Sequence, residues 1–179
     1  MKVQNETEAS YAIRHKGGIF DESAADKALA AAKLRDDETI AAALEILERR
    51  IRKCEFTASS PEHVKNFLTL KLAETEHEVF CVLYLNSQNQ IICHEELFRG
   101  TLNQTAVYPR EVVKRALHHN ANAIILTHNH PSGMCEASSA DRSLTDMLKK
   151  ALALIDVKVL DHIIVGQMNT LSFVERGYL

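Results

Sequence analysis

An apolar run from Ala123 to Leu126 ends at Thr127 against two histidines, His128 and His130, separated by a single residue. The run has the length and the branched residues of a buried strand. Residues i and i+2 of an extended chain project to the same side, so His128 and His130 bring two imidazoles to one point while Asn129 points away. That is what a metal ion needs from its first two ligands. Pro131, Ser132 and Gly133 then break the strand, and the helical pattern opened by Ser138 and Asp141 returns the chain toward the pair.

Ser138-x-x-Asp141 is close to a capping box, with Ser138 as N-cap and Asp141 reaching back from the first turn. A cap fixes where the helix begins, and so fixes where Asp141 can reach; the capping and ligand roles are compatible. The histidines His15, His63, His77, His118 and His119 have no partner at ligand spacing and are read as structural. His128, His130 and Asp141 together make three protein ligands and leave a position for water, which separates a catalytic zinc from a closed structural one. Non-haem iron accepts the same donors. Water on zinc has a pKa of roughly 7, against about 15.7 in bulk, and still needs a base to take its proton. In the strand Gln90 to Phe98, alternation puts Cys93, Glu95 and Leu97 on one face and His94, Glu96 and Phe98 on the other. A carboxylate among apolar neighbours has its pKa raised toward neutrality, and Glu95 is chosen as that base ahead of Glu96.

The rest of the chain reads as an α/β protein. An alanine-rich helix is expected from Glu22 to Arg35, and a second, amphipathic one carries Ile40, Leu44, Leu47 and Ile51, with Asp36, Asp37 and Glu38 at its start and Arg49, Arg50, Arg52 and Lys53 at its end. The first twenty residues read as an arm, and Glu55 to Ser59 as a linker. Ser60-Pro61 opens a further helix with Val64, Phe67, Leu68 and Leu72 on its apolar face. The apolar run to Leu85, the turn Asn86 to Asn89 and the run Gln90 to Phe98 form a hairpin placed at the sheet centre. A helix from Pro109, the histidine strand, a helix through Leu144, Leu148 and Leu152, a strand from Lys158 to Val165 and a last strand from Leu171 to Val174 complete a mixed sheet flanked by helices.

The wording of these segments resembles a known family. Glu95, His128-Asn129-His130-Pro131, Ser138 and Asp141 follow the E…H-x-H-P…S-x-x-D pattern of the JAB/MPN (JAMM) metalloproteases. Leu97-Phe98-Arg99-Gly100-Thr101-Leu102, Pro109-Arg110-Glu111 and Leu160-Asp161-His162-Ile163-Ile164-Val165-Gly166 resemble its RadC-like branch. The resemblance implies a JAB-type fold over residues 57–179, following an N-terminal arm and helices over 1–56. It implies zinc held by His128, His130, Asp141 and water, Glu95 as acid and base, and Ser138 as a stabiliser of the tetrahedral oxyanion. One departure is Ala137, where RadC-like chains carry proline.

The function expected is therefore a zinc-dependent hydrolase of a peptide or isopeptide bond. The alternative is a DNA-associated binding module with a structural or vestigial metal site. Charge discriminates between them: 21 basic against 24 acidic side chains give no electrostatic reason for a polyanion partner. A zinc deaminase is disfavoured because its H-x-E and P-C-x-x-C elements are absent. With no apolar signal core, no run long enough to cross a membrane and scattered cysteines, the expected compartment is a reducing cytoplasm. The expected partner is a peptide or protein substrate, and the thin apolar face of the N-terminal helices is expected to pack either on the JAB-type domain or on a second copy of the chain, as a homodimer.

Overall fold

The computed structural model describes residues 24–52, 60–100, 107–167 and 169–179. The arm over the first twenty residues, the linker Glu55 to Ser59, Cys54, Lys53 and the Thr101-Leu102 pair lie outside the described residues. Among the described residues, four helices and five strands follow in the order α1 (Ala24–Arg52), α2 (Pro61–Leu72), β1 (Val79–Leu85), β2 (Ile91–Arg99), α3 (Pro109–His118), β3 (Ala123–Asn129), α4 (Ser139–Ala153), β4 (Lys158–Val165) and β5 (Thr170–Ser172). Of the described residues, those up to Thr39 and those from Ile40 onward form separate compact units.

Where two helices were expected before Arg52, there is one. No glycine or proline interrupts the sequence around Asp36 and Asp37, so nothing stops the first helix from continuing. Leu44 and Leu47, on the expected apolar stripe, pack against the core, whereas Leu29 and Leu34 are exposed.

The strands form one mixed sheet in the order β2-β1-β3-β4-β5. β1 is antiparallel to both β2 and β3, β3 is parallel to β4, and β4 is antiparallel to β5. The β1–β2 hairpin is thus not at the centre, as expected from its apolar content; β2 is an edge strand and β3 lies in the middle. β3 earns that place by having all seven of its residues buried, which requires cover on both faces. One face packs Cys81, Leu83, Leu85, Ile125 and Val165 against Val64, Phe67, Leu68 and Leu72 of α2. The other packs Phe80, Val82, Tyr84, Ile124 and Leu126 against Val112 and Ala116 of α3 and Leu148 and Leu152 of α4. At about 1.5–3 kcal/mol for each large apolar side chain buried, each of these layers stabilises the sheet far more than any single polar contact. The architecture is the α/β one expected of a JAB/MPN-type domain.

Candidate metal centre

The centre forms where β3 leaves the sheet. Phe80 of β1 pairs with His128, so His128 lies on the face covered by α3 and α4. The peptide of His130 still bonds to the sheet, its N–H donating to the Val165 carbonyl at 2.8 Å. Asn129 points the other way, as expected: its Oδ1 accepts from the Val79 N–H at 2.8 Å, and its Nδ2 donates to the Thr75 and His77 carbonyls. That buried amide ties the start of β1 to the end of β3 and holds the histidine pair between them.

After His130 the chain turns through Gly133, whose φ of +80° lies in the left-handed region. It also passes close to Gly166, where a Cβ would stand 2.5 Å from the Gly133 carbonyl oxygen and 2.7 Å from Cys135 Sγ. Glycine at 166 is what lets the loop close down on β4. Ala137 packs beside Cys135, against Ile164, Leu171 and Phe173, so the position that departs from the family pattern still contributes apolar cover.

Ser138 then caps α4 through the expected capping box. Its Oγ accepts from the Asp141 N–H at 3.1 Å, and Asp141 Oδ2 accepts from the Ser138 N–H at 2.8 Å and from its hydroxyl at 2.7 Å. With Oδ2 held this way, Asp141 Oδ1 stands 3.4 Å from His128 Nε2. The two imidazoles meet Nε2 to Nε2 at 3.0 Å. Each has its Nδ1 occupied on the far side, His128 by His162 Nε2 and His130 by the Met134 carbonyl, both at 2.8 Å. One donor atom from each of His128, His130 and Asp141 lies within 4.8 Å of the others.

This donor set fits a small divalent cation. Two imidazole nitrogens and a carboxylate oxygen are zinc's ordinary ligands, and their convergence needs positive charge between them. Protonating His128 does not supply it readily, since burial pushes that imidazole down to about 4. A neutral imidazole is the form that binds a metal.

Glu95 does not join this group. It pairs with Val82 on edge strand β2, and Val82 pairs with Leu126, two residues short of His128. Its carboxylate is held by the Arg115 guanidinium of α3, one of whose bonds is 2.8 Å, and by His119 Nε2 at 2.9 Å. The Arg115 bonds outweigh burial and, with His119, hold Glu95 below the usual carboxylate range, so the raised pKa expected for a base is reversed. Glu96 points to the other face and pairs with Arg99 at 2.8 Å. Glu78, like Glu95, has no ligand atom in the His128, His130 and Asp141 group, but its place in the chain is nearer to it. It stands one residue before β1, and continuing the Phe80–His128 pairing by two residues sets its backbone opposite position 130. Its carbonyl still accepts from the Gly100 N–H at 2.8 Å, which continues the ladder to that residue. In the sequence it stands immediately before the apolar run that begins at Val79.

His119, read as isolated, instead joins Cys93 and Glu95 in a second cluster within 4.8 Å. There Arg115 already supplies the cation, and burial lifts the Cys93 thiol to about 11, away from the thiolate a metal needs.

A family model described as the RadC-like JAB domain matches residues 58–178. The chain belongs to that family. Among relatives of the RadC-like chain, a UPF0758 protein of Thiobacillus denitrificans is 61% identical over 121 residues, 68% of this chain and 54% of the relative. One of Methylibium petroleiphilum is 56% identical over 143 residues, 78% of this chain and 64% of the relative. One of Verminephrobacter eiseniae is 49% identical over 170 residues, 90% of this chain and 70% of the relative. The RadC-like chain thus spans little more than half the length of the first of these. No helix among its described residues is long and apolar enough to cross a membrane.

Proposed function

We propose that the domain is a zinc-dependent hydrolase of peptide or isopeptide bonds, acting on a peptide or protein substrate in a reducing cytoplasm. The convergence of His128 Nε2, His130 Nε2 and Asp141 Oδ1 at the exit of a buried strand is the observation that carries this reading. The free thiols of Cys81, Cys93 and Cys135 agree with the compartment. Zinc held by the three ligands would supply a Lewis acid for the scissile carbonyl and lower the pKa of an attacking water. The chain must then move a proton and stabilise charge. Glu78 takes the base role here in place of Glu95, because extending the β1–β3 register sets it opposite the ligand segment, whereas Arg115 holds the Glu95 carboxylate. Ser138 donates to Asp141 Oδ2, so its part in holding an oxyanion requires its hydroxyl to turn from Asp141 to the substrate.

The test is a pair of isosteric variants assayed on a library of peptides and lysine-linked isopeptides. Glu78→Gln keeps the shape and removes the base, and is expected to retain zinc and lose about a hundredfold to ten-thousandfold in rate. Glu95→Gln is expected to change the rate far less. A Glu95→Gln variant that loses turnover while Glu78→Gln keeps it would reverse the assignment.

A further inference from the structure

A neutral imidazole carries one proton and offers one lone pair, so a histidine ligand must be in the right tautomer. In this domain two residues outside the ligand set dictate the tautomer of His128. Thr145 Oγ1 lies 2.6 Å from the Asp141 carbonyl oxygen, one turn back in α4. Two oxygens at that distance need a hydrogen between them, and only the hydroxyl has one. With its proton given to Asp141, Thr145 Oγ1 can only accept from His162 Nδ1, 2.6 Å away. His162 therefore carries its proton on Nδ1 and presents a bare Nε2. That Nε2 is 2.8 Å from His128 Nδ1, so His128 must donate through Nδ1. Its Nε2 is left bare, facing His130 and Asp141.

Burial narrows the alternatives. Thr145, His162 and His128 are 2%, 0% and 2% exposed, so water does not compete for their polar atoms. The His162 ring is wedged between Phe80 and Phe173, with centroids at 5.9 and 4.7 Å. The opposite tautomer of His128 would set two bare nitrogens against each other at His162 and put a hydrogen between His128 and His130. With His130 donating through Nδ1 to the Met134 carbonyl, the Nδ1–H tautomer of His128 leaves two bare Nε2 atoms at 3.0 Å for a cation to bridge. The chain begins at the backbone of Asp141 and ends on His128, so one ligand's helix sets the protonation of another.

We propose that Thr145 and His162 are positioning residues that hold His128 in its Nδ1–H tautomer, with Nε2 bare toward a divalent cation. The proposal rests on the metal reading above, but its first readout is independent of it. Long-range proton–nitrogen correlation on the full-length, nitrogen-15-labelled chain, stripped with a chelator at pH 8, distinguishes protonated from bare ring nitrogens. His128 and His162 are both expected to be protonated at Nδ1. A stripped chain with His128 protonated at Nε2 overturns the proposal. The second readout is zinc affinity by chelator competition. His162→Leu removes the acceptor and Thr145→Val the hydroxyl, and each is expected to weaken zinc binding about tenfold to a hundredfold. His162→Gln returns an acceptor oxygen near the Nε2 position and is expected to recover most of the loss, which mere packing would not explain. If His162→Leu does not fold, Thr145→Val carries this test. Unchanged affinity in the folded variants also overturns the proposal. A wild-type chain with the expected tautomers that takes up no zinc would refute the metal reading and leave the relay standing.

Discussion

Glu95 occupies a strand position whose partial burial favours the neutral acid, yet its carboxylate is held anionic by a guanidinium that the sequence places 20 residues away. The sequence reading saw the apolar neighbours Cys93 and Leu97 but not Arg115, because the partner comes from α3 and only the packing of α3 on the sheet brings it there. The pH dependence follows from the sign of the shift. A carboxylate whose folded pKa is depressed binds fewer protons than the unfolded chain, so its stabilisation is fully present above its ordinary value of 4.5 and is lost as pH falls through the lower folded value. In urea unfolding, wild type is expected to exceed Glu95→Gln in stability by a constant margin from pH 5 to 8, and that margin should shrink below about pH 4.5. A margin that grows on acidification would mean the carboxylate is not held by Arg115. The histidine pair was legible for the opposite reason: its ligand geometry depends on the two-residue period of one strand and needs no distant partner.

Among the elements, α4 joins a stability role to a site role in its first turn. Ser138→Ala removes the oxygen that accepts from the Asp141 N–H and the hydroxyl that donates to Oδ2. A lost N-cap costs about 1 kcal/mol, which a denaturant midpoint resolves. Zinc affinity is expected to fall as well, since Asp141 loses a donor that orients it. Ser138→Thr should restore both, and a Ser138→Ala variant as stable as wild type would show that the cap contributes nothing. This box was readable from S-x-x-D because capping chemistry is local. The continuity of α1 and the edge position of β2 were not. An acidic triplet such as Asp36-Asp37-Glu38 suits a helix start and is also tolerated within a helix, and the apolar content of a hairpin does not say which of its strands has a neighbour on the far side.

At the scale of the molecule, the two apolar layers close over the sheet using side chains that are not ligands. The unit from Ile40 onward is therefore expected to stay folded without metal, and stripping zinc should lower its melting temperature only by the free energy of ligand binding, in proportion to the logarithm of zinc concentration. Loss of the cooperative transition on chelation would instead indicate a structural zinc. The α/β sheet was legible from alternating strand and helix periods and its JAB type from the resemblance of the motifs, and the site was legible where it lies along one stretch of chain, from His128 to Asp141. What escaped was assembled across strands: His162 reaches His128 because β4 lies beside β3. The most direct test of the whole account is elemental analysis of the full chain purified without added metal, compared with His128→Ala. The wild type is expected to carry one zinc per chain, and the variant to carry almost none while keeping its circular dichroism. Full zinc occupancy in folded His128→Ala, or a wild type that binds no zinc even when it is supplied, would contradict the metal centre at its root.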